Sequence, residues 1–138
     1  MCIKKKNGFT LVELIIIVVI LGVLVSIGTV LYTNTVEHSR TAEAKSNLGA
    51  IRSMAMVYYQ ENNAYPDDTY LSGTLGLPTG TNNTCSNANY FFQYHIDNVG
   101  DATAYRCTSG GKSRDSATSY SLTLTPAGAG SSSPAGWW

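Results

Sequence analysis

From Leu14 to Leu31 the chain runs for eighteen residues without a charge, and then the pattern changes character. Beyond Thr33, apolar residues recur at Ala44, Leu48, Ile51, Ala55 and Tyr58, in steps of four, three, four and three. That spacing is one face of a helix, with Lys45, Arg52 and Gln60 falling away from it. No proline precedes Pro66, so nothing interrupts a helix from Phe9 to about Asn62, roughly 80 Å at 1.5 Å per residue. Asn62 and Asn63 suit a left-handed cap, and Pro66 forbids continuation. A helix this long is too long to bury in a small domain. Its first half needs lipid or other subunits, and its second half needs a sheet.

The sheet is expected later in the chain. Tyr90 to Ile96 is dense in aromatics, and Ala104 to Cys107 is a short candidate. Ser119 to Thr125 alternates, with Tyr120, Leu122 and Leu124 on one side and Ser121, Thr123 and Thr125 on the other. Three or four antiparallel strands with one apolar face against the Ala44–Tyr58 stripe make an α+β head. Leu71–Ala88 and Thr108–Thr118, rich in Gly, Ser, Thr and Asn, read as loops. The last twelve residues have no period and read as a flexible tail, with Trp137 and Trp138 as the residues able to dock.

Composition sharpens this division. Only 13% of the 138 residues are charged, with nine basic and nine acidic side chains, against roughly 25% in ordinary soluble domains. That balance argues against a strongly basic nucleic-acid-binding face. Lys4, Lys5 and Lys6 stand before the apolar run, which places the N-terminus in the cytoplasm and everything after Leu31 outside. A cleaved secretory signal fits badly, because the run is too long and Val30-Leu31-Tyr32 offers no small-residue cleavage site. Glu13 does not suit a plain anchor either. A carboxylate inside a spanning helix costs about 2.5–3.5 kcal/mol on insertion scales, so it needs a partner or a role.

Lys5-Lys6-Asn7-Gly8 followed by Phe9-Thr10-Leu11-Val12-Glu13 and a run of Leu, Ile and Val resembles the class III signal of type IV pilins and pseudopilins. The pattern resemblance extends over about residues 4–66 and closes on Asn-Asn-Ala-Tyr-Pro. It implies a type IV pilin-like α+β fold, with a long N-terminal helix packed on a small antiparallel sheet. It implies cleavage between Gly8 and Phe9 by a prepilin peptidase, methylation of the Phe9 amine, and an assembly salt bridge through Glu13. The chain then divides into a leader at 1–8, a hydrophobic assembly and transmembrane segment at 9–34, and a head at 35–138. One departure is Val30, where many pilins have proline; Gly22 and Gly28 fall in the stretch that unwinds in several assembled pili. Removing the leader leaves six basic against nine acidic side chains.

Cys2 would leave with the leader, and Cys85 and Cys107 remain on the outer side, where disulfides persist. A bridge between them closes a loop of 23 residues, worth about 3 kcal/mol by the chain-entropy relation. Two cysteines so far apart, without a CxxC, do not form a zinc pattern.

Other candidates for chemistry carry little. His38 and His95 have no GxSxG or HExxH beside them, so no catalytic set is expected and the protein reads as a non-enzyme without cofactor. Asp67 and Asp68 after Pro66 read as turn residues before they read as a calcium site. Lys112 and Arg114 support only weak nucleic-acid binding. Tyr32, Tyr58 and Tyr59 read as interfacial and core residues. Gly73, Gly76 and Gly80 precede no helix that would hold a phosphate.

The expected function is that of a type IV pilus subunit, which lies in the inner membrane before joining an extracellular filament for adhesion, motility or DNA uptake. Its partners would be identical subunits, the prepilin peptidase and the inner-membrane assembly machinery. A type II secretion pseudopilin is the alternative within the family. A monomeric membrane-anchored binding module is the alternative outside it, and such a module has no need of Glu13 or of the Gly8-Phe9 junction.

Overall fold

A computed structural model describes residues 8–112 and 119–138, and of Thr29, Val30, Leu31 and Asn34 the backbone alone. Cys2, Lys4, Lys5, Lys6 and Arg114, singled out above, lie outside the described residues. The chain divides into two compact units, Met1–Glu37 and His38–Trp138. Helix α1, Leu11–Asn62, supplies the front of one and the first element of the other. It stays helical through Gly22 and Gly28.

In the first unit, every residue from Gly8 to Gly28 is exposed. Leu11–Gly28 is long and apolar enough to cross a membrane, and none of it is covered by the chain. In the second unit, the rest of α1 turns one face inward. Thr41, Ala44, Leu48, Ile51 and Ala55 are buried, matching the helical stripe except at Tyr58, which is only half-buried. Asn63 takes the left-handed conformation that ends the helix.

That face packs on a four-stranded antiparallel sheet in the order β1-β2-β3-β4. Its strands are β1 Phe92–Ile96, β2 Ala102–Arg106, β3 Ser121–Leu124 and β4 Gly130–Ser133. Phe92, Tyr94 and Ile96 of β1, Ala102 and Ala104 of β2 and Leu122 of β3 alternate onto the helix side and join Tyr120 in the core. The small side chains of β2 sit between the large ones of β1 and Tyr120, which lets the helix lie close to the sheet. Tyr94 also ties the layers together, its phenol oxygen accepting a hydrogen bond from Asn47 of α1 at 2.8 Å. Burial pushes the Tyr94 phenol up to about 12, so it stays neutral throughout the physiological range.

Two parts depart from the sequence expectation. The stretch after Pro66 is not all loop, because Asp68–Leu75 forms a second helix, α2. Thr69, Ser72, Gly73 and Thr74 are poor helix formers, and the helix is held by its ends and one anchor. Asp67 caps it by accepting from the Tyr70 N–H, Gly76 closes it with a left-handed φ of 64°, and Leu71 is fully buried. Asp67 and Asp68 are therefore a helix start. Asp68 reaches β1, accepting from the Ile96 N–H at 3.0 Å and meeting His95 Nδ1 at 2.9 Å.

The flexible-tail expectation fails at Gly130–Ser133, which pairs with β3 in the register Leu122↔Ser132 and Leu124↔Gly130. Three serines and a glycine carry no strand alternation, so β4 is specified by what surrounds it. Trp137 lies flat on Tyr120, with centroids 4.3 Å apart and planes 6° apart, and its backbone N–H donates to Ser132 Oγ. A Cβ on Gly130 would land in the Trp138 indole. The docking of Trp137 thus covers the core at Tyr120 while β4 extends the sheet.

Replacement of Trp137 by alanine is expected to lower the stability of the second unit by about 2 kcal/mol, the lost ring pair together with the apolar area that the half-buried indole covers. Thermal unfolding followed by near-ultraviolet circular dichroism checks this; an unchanged midpoint would mean the stack is incidental.

Candidate assembly surface

The site that the sequence singles out begins at Gly8 and Phe9. Both are exposed, and Phe9 is 76% exposed. A Cβ on Gly8 would meet no atom of the described residues.

Glu13 sits in the first turn of α1, and it is not the bare carboxylate that its apolar setting suggests. Its Oε2 accepts from the Thr10 backbone N–H and from Thr10 Oγ1, both at 2.9 Å. Thr10 Oγ1 accepts in return from the Glu13 N–H at 3.3 Å. This is a reciprocal capping box, in which two residues three apart satisfy backbone donors that a helix start leaves unpaired. The acid also lies at the positive end of the helix dipole. The hydropathy pattern gives no hint of Thr10; its signal is the Thr-x-x-Glu spacing directly before an apolar run. The second oxygen, Oε1, has no hydrogen-bond partner among the described residues.

From Leu11 to Gly28 the surface is almost entirely Leu, Ile and Val, broken by Gly22 and Ser26 and ending at Gly28, with Glu13 as its one charged residue. Such a surface can do two things physically. It dissolves in hydrocarbon, and it packs against other apolar helices. A single carboxylate adds a directional contact to an otherwise uniform surface.

The second pair of predicted residues lies in the head. Cys85 and Cys107 form a disulfide with Cα atoms 5.5 Å apart, both sulfurs buried. The bridge fastens the long segment before β1 to the end of β2. Cys85 N–H donates to Ser109 O at 2.9 Å, and Asn83 Nδ2 donates to Arg106 O at 2.7 Å. Gly110, at φ 71°, comes so close to the Cys85 carbonyl that a Cβ would collide with it. Next to the bridge, Arg106 is fully buried on β2, with Nη1 donating to the carbonyls of Phe91 and Cys107. The structure does not bring His38 and His95 together: His95 meets Asp68, and His38 lies against Trp137 with centroids 5.2 Å apart. Among the described residues, no group of three acidic, histidine or cysteine side chains could hold a metal.

Replacing Cys85 by serine is expected to cost the head about 3 kcal/mol while leaving the exposed Gly8-Phe9 end untouched. Denaturant unfolding of the oxidised protein and the serine variant measures the difference; equal midpoints would refute it.

The comparisons with known proteins point the same way. The model for the prokaryotic N-terminal methylation motif matches residues 3–29. Fimbrial protein EcpC of Eikenella corrodens is 31% identical over 77 residues, 56% of this chain and 50% of that protein. The type IV major pilin protein PilA of Myxococcus xanthus is 35% identical over 63 residues, 46% of this chain and 29% of that one. The type II secretion system core protein G of Pseudomonas aeruginosa is 31% identical over 78 residues, 56% and 55% of the two chains. The chain thus spans about half the length, or less, of these curated relatives. No solved structure gives a match. With the methylation motif at its front, an apolar first helix, an α+β head and relatives of both kinds, the chain is similar to the type IV pilins and pseudopilins.

Proposed function

We propose that this chain is a structural subunit that polymerises through the front of α1 into a type IV pilus-like filament outside the cell. The observation that carries the reading is the uncovered apolar surface of Leu11–Gly28, with Glu13 as its one charge. In this reading the subunit waits in the inner membrane, and the machinery that assembles the filament moves it from lipid to neighbouring helices. Apolar side chains stay out of water in both states, so the transfer needs no exposure of the segment. In this reading the role is structural.

A prepilin peptidase would cut between Gly8 and Phe9. The demand for glycine would come from the cleft of that enzyme, since a Cβ at Gly8 meets nothing among the described residues. The new Phe9 amine, cationic even when singly methylated, becomes a partner for Glu13 of a neighbouring subunit. Oε2 is held by Thr10, and Oε1 is the oxygen with capacity left for it. Such a pair in a low-dielectric filament core depends steeply on distance, and so selects one axial register among helices that otherwise pack without preference.

Mass spectrometry of sheared filaments is expected to find a subunit beginning at a methylated Phe9. Peptides containing Lys4–Lys6 in the assembled form would refute the processing. For Glu13→Leu, the expected outcome is normal processing and membrane level but filament yield reduced by at least about tenfold, the loss of roughly 1.4 kcal/mol per contact. Filaments of ordinary yield built from that variant alone would show that the carboxylate does not set register.

The relatives named type II secretion system core protein G favour a second reading, a subunit of a secretion pseudopilus. Deleting the chain separates the two. Loss of surface fibres with secretion intact supports the pilus; retained fibres with lost protein secretion supports the pseudopilus.

A further inference from the structure

We propose that Asn82 is the acceptor for an N-linked glycan, joined through its side-chain amide while the head lies outside the cytoplasm. The proposal goes beyond the filament reading and takes from it only that location of the head. Asn82-Asn83-Thr84 is the one Asn-x-Ser/Thr triplet in the sequence, and such a triplet is the acceptor signal for sugar transfer to asparagine. The triplet alone says little, and the way the fold presents it carries the argument.

Its middle residue is pinned and its outer two are not. Asn83 Nδ2 donates to Arg106 O at 2.7 Å, and Asn83 O accepts from the Thr108 N–H at 2.9 Å and from Thr108 Oγ1 at 3.2 Å. Directly after the triplet, Cys85 is bound to Cys107. With Asn83 turned toward the end of β2, Asn82 and Thr84 on either side of it are both exposed. The triplet is therefore fastened to the head through the residue that the transfer does not use.

The Asn82 amide is oriented by what its oxygen accepts. Oδ1 takes the Thr84 N–H at 2.9 Å and Gln93 Nε2 at 3.0 Å. Gln93 Nε2 also donates to the Asn82 carbonyl at 2.6 Å. Both partners of Oδ1 are donors, which fixes the oxygen end of the amide and leaves Nδ2 at the other. Neither Nδ2 nor the Thr84 hydroxyl has a hydrogen-bond partner among the described residues. Asn82 has a structural duty, to satisfy the amide of the buried Gln93. That duty employs only its oxygens, and it involves neither Nδ2 nor the Thr84 hydroxyl.

Transfer forms a bond between Nδ2 and the anomeric carbon of the first sugar. It breaks the bond from that carbon to the diphosphate of a polyprenyl carrier, which leaves with the electron pair, and a base of the transferase takes the proton lost from Nδ2. The donor class is thus a lipid-linked oligosaccharide at the outer face of the membrane that Leu11–Gly28 is able to span. Oδ1 takes no part, so its bonds to Thr84 and Gln93 survive the modification. The glycan joins a head that has already folded.

The test uses the full chain purified from the cells that make it, both from membranes and from sheared filaments, and digested without reduction. The peptide that holds Asn82 and is bridged to Cys107 is expected to carry a mass increment of whole sugar residues, which fragmentation places on Asn82. Asn82→Asp keeps an oxygen for Gln93 and the Thr84 N–H but has no amide, and Thr84→Ala lacks the hydroxyl. Both are expected to lose the increment with the Cys85–Cys107 bridge still formed, whereas Thr84→Ser is expected to keep it. A bridged peptide with Asn82 unmodified, or an increment that survives Asn82→Asp, overturns the linkage while leaving the filament reading standing. Free thiols at Cys85 and Cys107 in those subunits would overturn the outer location on which both rest.

Discussion

The constraint on which everything else depends is the uncovered apolar segment Leu11–Gly28. Its own chain shields none of it, and at about 25 cal/mol for each Å² of apolar surface left in water such a helix cannot remain free in solution. A sheet of four short strands is too small to cover it. The division of the chain follows from this: one unit is given over to surfaces that other molecules must complete, and the other completes itself.

The self-completing unit is small, and its fastenings reflect that. The apolar contact between α1 and the sheet is narrow, with two alanines on β2 and two on the helix. Units of this size rarely hold together by core alone. The disulfide, the Asn47–Tyr94 hydrogen bond, the Asp68 clamp on β1 and the Trp137–Tyr120 stack each join segments far apart in sequence. They lie at different borders of the sheet, so the long segment before β1 and the chain after β3 are both fixed to it.

What could be read from the sequence was whatever repeats or stands out against its surroundings. The Ala44, Leu48, Ile51, Ala55 stripe and the Tyr120, Leu122 alternation are periodic signals, and both mark core positions. Glu13 stands out because a charge in an apolar run is costly. Helix α2 and strand β4 had no such signal. Thr69, Ser72 and Thr74 favour loops locally, and Gly130–Ser133 has neither apolar alternation nor β-branched residues; α2 is held by its caps and the buried Leu71, and β4 by its pairing with β3. The Thr10–Glu13 box lies between these cases. It was legible as a capping motif, but the hydropathy contrast drew attention to the carboxylate and away from the hydroxyl.

The atoms of that box all lie C-terminal to the Gly8-Phe9 junction. Proteolysis there would change the charge and length of what precedes the helix without altering the signal that starts it. The first turn would keep its rotational phase through maturation, and Glu13 would face the same azimuth in the stored precursor as in the trimmed subunit. Maturation would then act as a chemical change at a fixed geometry, supplying a cation to a surface already oriented to use it.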